Sequence, residues 1–133
     1  MKMKILSLTL LMLPLSVAAD GVSDHDRYNQ ALAKLNAQIP PALVEHQADA
    51  ERGGTLAMQR CIACHGEGML KMMKTYPSLN GQKSAFMVKQ LLEFKSGQRV
   101  NPIMQAQAMS LSDADIKDIA LWYSQQPLMN LAQ

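Results

Sequence analysis

The stretch Cys61-Ile62-Ala63-Cys64-His65, "CIACH", contains both cysteines of the chain. Thiols at this spacing beside an imidazole serve as a disulfide, as metal ligands, as a redox pair or as a covalent anchor. A disulfide between residues three apart closes a tiny loop and removes little entropy from the unfolded chain, so it is a poor staple. A structural zinc site takes four ligands, and His25 and His46 stand at no recognisable ligand spacing from the motif. A thioredoxin-like pair calls for a surrounding βαβ pattern, and the sequence has no convincing strand run.

The remaining reading is covalent haem attachment. In Cys-x-x-Cys-His the thiols form thioethers with the haem vinyl groups, and the adjacent histidine binds the iron as proximal ligand. Five residues recur by chance, so the flanking sequence has to support this reading.

The chain opens with Lys2 and Lys4, an apolar run from Ile5 to Val17, and then Ala18 and Ala19. These are the three parts of a secretory signal, predicted to be cleaved after Ala19. The run is shorter than the ~18 residues of a spanning helix and Pro14 interrupts it, so stable membrane insertion is not expected. Export places the rest, residues 20–133, in a periplasm-like compartment. With 48% hydrophobic residues in 133, the chain suits one small domain. The leader's two lysines account for the net charge of +2. Residues 20–51 hold six acids and two bases, whereas 52–99 hold eight bases and two acids, a distribution that offers a basic face to acidic partners. No basic-aromatic interleaving points to nucleic acid.

Ala31, Leu32 and Leu35 are spaced for a short helix, and Leu43 and Val44 begin another turn beyond Pro40-Pro41. Residues 20–47 read as an N-terminal extension to a domain over 48–133, with His25 and His46 exposed. A helix leads into Cys61, its Gly53-Gly54 pair lowering intrinsic propensity and permitting close contact with another helix. "GEGMLKMMKTYPSLNGQ" reads as a loop. "KSAFMVKQLLEFKSG" is a helix capped by Gly97. "QRVNPIMQAQAMS" reads as a wrapping segment without regular structure, because Pro102 holds Asn101 extended. The last helix starts at Ser112, with Asp115 completing a capping box, and buries Ile116, Ile119, Ala120 and Tyr123.

Over residues 48–126 the chain resembles the class I c-type cytochromes, especially small bacterial monohaem forms and one half of the dihaem periplasmic proteins. The ordered set carries the resemblance: a glycine-bearing helix before "CIACHG", then "YPSLNGQ", "FMVKQLLEFKSGQRVNPIM" and "LSDADIKDIALWYSQQ". It implies an all-α cytochrome c fold whose helices wrap one covalently attached haem c, with Gly54 against Trp122 or Tyr123 where the first and last helices cross. It implies Cys61 and Cys64 as haem anchors, His65 as proximal iron ligand, and the carbonyl at Tyr76-Pro77 as acceptor for the His65 imidazole. Arg99 and Asn101 are candidate contacts to the haem propionates.

For the distal ligand the family pattern points into the loop before the last helix, seven residues ahead of Leu111. That is Met104, with Met109 as runner-up and Met72 and Met73 too near the proximal side, among 11 methionines that are mostly packing. Related sequences often carry a second methionine three residues after the ligand, where this chain has Gln107. His/Met ligation fills both axial positions, so the implied role is one-electron transfer rather than catalysis. Redox proteins are the implied partners, docking at a basic face that includes Lys71 and Lys74. The competing readings are a five-coordinate haem that senses ligands or reacts with peroxide, and a haem subunit held permanently in a dehydrogenase or oxidase.

Overall fold

The computed structural model describes residues 22–131, so the predicted leader lies outside the described residues. Among the described residues eight helices follow one another: α1 (Asp24–Ala33), α2 (Pro41–Glu45), α3 (Ala50–Arg60), α4 (Ile62–His65), α5 (Glu67–Met72), α6 (Ser84–Ser96), α7 (Pro102–Met109) and α8 (Asp113–Ser124). The described residues contain no strand, in agreement with the expected all-α class.

The crossing of α3 and α8 organises the fold. A Cβ built on Gly53 would lie 2.1 Å from the Asp118 carbonyl oxygen, and one on Gly54 would lie 2.6 Å from Trp122 Nε1. Only glycine lets the two backbones approach this closely, and the propensity cost inside α3 is offset by that contact. The expected stripe of Ile116, Ile119, Ala120 and Tyr123 is buried against Ala57 of α3 and Val88 of α6 in one cluster. At the start of α8 the Ser112 hydroxyl accepts from the Asp115 amide at 3.1 Å while the Asp115 carboxylate accepts from the Ser112 amide at 2.8 Å. This reciprocal pair satisfies two donors that a helix start otherwise leaves open. Helix α6 ends as predicted at Gly97, whose φ of 79° lies in the left-handed region that other residues avoid.

Two segments depart from the sequence reading. The stretch after the haem motif is not all loop: α5 forms because Glu67, Met69, Leu70, Lys71 and Met72 are strong helix formers and Leu70 is buried. Glu67 and Lys71 also pair at 2.7 Å along its surface. The segment 98–110 contains α7. Asn101 is extended, as Pro102 requires, yet an extended residue followed by proline is also a helix start: the Asn101 side chain accepts from the Met104 amide at 3.0 Å and Pro102 occupies the first turn.

Residues 22–47 do not trail from the domain. Tyr28, Leu32 and Leu43 belong to the same apolar cluster as α3, α6 and α8. Beneath them Lys117 of α8 is fully buried, and its Nζ donates to Asn29 Oδ1 at 2.8 Å, the Val44 carbonyl at 3.2 Å and the His46 carbonyl at 2.7 Å. Burial pulls the Lys117 pKa down, with neighbouring Asp118 opposing the shift. Asp118 is also fully buried; it meets His46 Nε2 at 2.7 Å, the Asp49 amide at 2.8 Å and the Arg52 guanidinium. His46 is therefore half-buried against a carboxylate rather than exposed, a correction arising from a partner 72 residues away in sequence.

Candidate haem-attachment site

Helix α3 runs into the motif without a break. The Cys61 amide donates to the Ala57 carbonyl at 2.9 Å, and the Cys61 carbonyl then accepts from the Cys64 and His65 amides at 3.2 and 2.9 Å. Both cysteines and His65 thus share the turn that joins α3 to α4. The thiols are unpaired and half-buried, whereas His65 is only 6% exposed. Burial pushes the Cys61 thiol up, against the opposing influence of Arg60, and Cys64 and Tyr123 also act on it. A raised thiol pKa is the reverse of what a redox-active cysteine needs. Among the described residues no group of three or more His, Cys, Asp and Glu side chains gathers as a metal site.

The imidazole is held from outside. His65 Nδ1 lies 2.9 Å from the Pro77 carbonyl oxygen, and the Tyr76 ring sits 6.1 Å from the His65 ring, inclined at 60°. A carbonyl only accepts, so Nδ1 is the protonated nitrogen and Nε2 keeps its lone pair. The same bond sets the ring plane and raises the basicity of Nε2 toward a metal. The strand of chain that brings Pro77 here is tied to α8 by the Gly81 amide, which donates to the Tyr123 carbonyl at 2.9 Å.

Met104 is half-buried in α7, whereas Met109 is 69% exposed. Arg60 at the end of α3 donates to the Ser110 hydroxyl just past α7. Arg99 donates to Gln90 Oε1 and lies over the Phe94 ring, 4.7 Å from its centroid. Asn101 has its side-chain oxygen committed to the Met104 amide. Cys61, Cys64, His65, Tyr76 and Pro77 are therefore brought together; Asn101 and Met104 form a second group, and Arg99 faces Gln90 and Phe94.

Sequence reasoning placed Tyr123 in the buried stripe but not its hydroxyl, which lies beside Cys61, is buried and has no hydrogen-bond partner. Helical periodicity reports which way a side chain faces and is blind to a phenol oxygen at the ring's far end.

Two unpaired thiols and an imidazole with a free Nε2, all on one turn, fit a haem joined through thioethers, and an all-helical domain closed by an α3–α8 crossing defines the class as a c-type cytochrome. The comparisons with known proteins agree. Residues 48–122 match the family model described as "Cytochrome C oxidase, cbb3-type, subunit III". The chain is 38% identical to cytochrome c4 of Thiocapsa roseopersicina over 59% of this chain and 41% of that protein. It is 38% identical to cytochrome c-554(548) of Halomonas halodenitrificans over 50% of this chain and 83% of that protein. It is 31% identical to the thiosulfate dehydrogenase electron acceptor of Thiomonas intermedia over 72% of this chain and 49% of that protein. The chain belongs to the c-type cytochrome family, whose cofactor is covalent haem c, and Cys61, Cys64 and His65 form the attachment motif. It spans about half the length of the cytochrome c4 relatives it matches.

Proposed function

We propose that this chain is a periplasmic one-electron carrier, not an enzyme, with His65 and Met104 as the axial ligands of its haem. The observation that carries the reading is the 2.9 Å contact from His65 Nδ1 to the Pro77 carbonyl, which leaves Nε2 as the coordinating nitrogen. The haem iron supplies the reversible one-electron change. The protein's part is to keep the ligands still: two thioether tethers, a proximal ring fixed by a carbonyl, and a distal methionine on a capped helix. Ligands that stay in place in both oxidation states keep the reorganisation small, and a filled sixth position leaves no place for a substrate.

Tyr76 and Pro77 line the proximal side in this reading, and Arg99 and Asn101 stand near the propionates. Met104 is favoured over Met109 because it is half-buried on a helix fixed at its start by Asn101, whereas Met109 faces outward. Visible absorption of the haem-loaded protein and of Met104→Ala tests the ligation. A weak sulfur-to-iron band that is present in the oxidised protein and lost in the variant supports it, and a high-spin wild-type spectrum refutes it.

The partners proposed are redox proteins. One relative is named as the electron acceptor of thiosulfate dehydrogenase, which makes a dehydrogenase a reasonable class of donor. Docking would use the basic surface after the motif. Lys71 pairs with Glu67, which offsets its charge, so Lys74 is the stronger contributor. Neutralising Lys74 is expected to slow partner reduction several-fold at low salt and little at high salt, measured by stopped flow across a salt series; equal slowing at every salt concentration contradicts the docking face. No helix among the described residues is long and apolar enough to cross a membrane.

A second reading, a haem subunit held in a larger assembly, is favoured by the description of the matched family as an oxidase subunit. Co-purification at stoichiometric ratio from the native source would select it over a diffusing carrier.

A further inference from the structure

The Tyr123 side chain is 2% exposed, and its hydroxyl has no hydrogen-bond partner. Its ring is locked edge-on against Trp122, with centroids 4.7 Å apart at 71°. Its backbone carbonyl accepts from the Gly81 amide at 2.9 Å and the Gln126 amide at 3.1 Å, so the residue has little freedom to turn outward. Cys61 packs against the buried cluster that holds Tyr123 and is the neighbour of its hydroxyl, each group acting on the other's ionisation. A buried hydroxyl without a partner is costly, and phenylalanine would fill the same apolar space without that cost.

The Cys61 sulfur changes character when haem is attached. As a thiol it is both a weak donor and a weak acceptor; as a thioether it has lost its proton and can only accept. The buried phenol is a donor in need of an acceptor, and attachment leaves its neighbour with the acceptor role alone. We propose that in the haem-bearing protein the Tyr123 hydroxyl donates a hydrogen bond to the Cys61 thioether sulfur and thereby raises the reduction potential. Tyr123 is then a positioning and tuning residue, which acts on the cofactor through Cys61.

The direction follows from electrostatics. A donor aimed at the sulfur draws electron density away from the edge of the tetrapyrrole, and hydrogen bonding around the haem is one of the levers by which a protein sets its potential. An electron-poorer ring favours the reduced state. Loss of the hydroxyl is expected to weaken reduction about twofold, a fall of about 18 mV at 59 mV per tenfold for one electron.

The inference rests on the haem c reading, and the tests separate the two. Wild type and Tyr123→Phe are each purified with haem, confirmed by absorption, and titrated potentiometrically. Resonance Raman spectra of the thioether carbon–sulfur stretch are then recorded in light and heavy water. The expected result is a lower potential in Tyr123→Phe, and a carbon–sulfur band that moves on deuteration in wild type but not in the variant. Because the second readout is taken on wild type itself, it does not depend on the variant folding. Equal potentials with a band insensitive to deuteration in both proteins would overturn this inference alone, whereas a chain that acquires no haem would overturn the parent reading as well.

Discussion

The surroundings of His65 and of Met104, the proposed proximal and distal ligands, are built differently. On the proximal side His65 is 6% exposed and tied to Pro77, and its turn is continuous with α3, itself pressed against α8. The proposed distal ligand, Met104, rides on α7, a helix of eight residues that follows Val100, 81% exposed, and ends at Met109, 69% exposed. In the proposed ligation one ligand is set by sequence adjacency and by one hydrogen bond to a remote carbonyl. The other depends on a short helix that a single side chain starts. The proximal side is therefore expected to tolerate local loosening, and the distal side to register it first.

The α3–α8 crossing is the place to break the rigid side. Gly53→Ala puts a methyl group into the Asp118 carbonyl, backbone against backbone, and is expected to cost about 3 kcal/mol in denaturant unfolding. A substitution that leaves the unfolding midpoint unchanged would mean that the crossing can relax and does not organise the fold.

Lys117 tests whether the N-terminal segment supports both sides equally. Lys117→Met removes the donor to Asn29 Oδ1 and the His46 carbonyl and is expected to cost about 2 kcal/mol while leaving the haem spectrum unchanged. The pH dependence has a definite sign. The folded-state pKa lies below the ordinary 10.5, so between the two values the unfolded chain holds a proton that the folded chain has released. The Lys117 contribution therefore makes stability rise with pH across that window, and the rise should be absent in Lys117→Met. Urea melts from neutral pH to pH 10 check this.

Asn101→Ala sharpens the contrast with the smallest change. Loss of a helix N-cap costs about 1 kcal/mol, and its effect should fall on the distal side. Thermal loss of the sulfur-to-iron band is expected at a lower temperature than in wild type, with global unfolding shifted by no more than that 1 kcal/mol. Coincident loss of band and fold in the variant would show the two sides to be one cooperative unit.

The parts legible in the sequence are those governed by local rules. Ser112 and Asp115 stand at capping-box spacing, Gly97 follows an apolar helical face, and "CIACH" joins anchors to ligand in five residues. Helices α5 and α7 were hidden because each is short and bordered by turn residues, and because an Asn-Pro pair reads equally as an extended bend or as a helix start. Lys117 and Asp118 were hidden for another reason. On a helical wheel a lysine beside an aspartate looks like a solvated face, and only the return of residues 29 to 49 across α8 turns that face inward. His46 was misread as exposed on the same account.

The measurement that tests the central claim most directly is the oxidised and reduced visible spectrum of the haem-loaded protein beside Met104→Ala and Met109→Ala. With Met104 as ligand, the wild type is low-spin and its weak sulfur-to-iron band survives Met109→Ala and disappears in Met104→Ala. A high-spin wild type that shifts with carbon monoxide, or a band indifferent to Met104, would contradict that ligation.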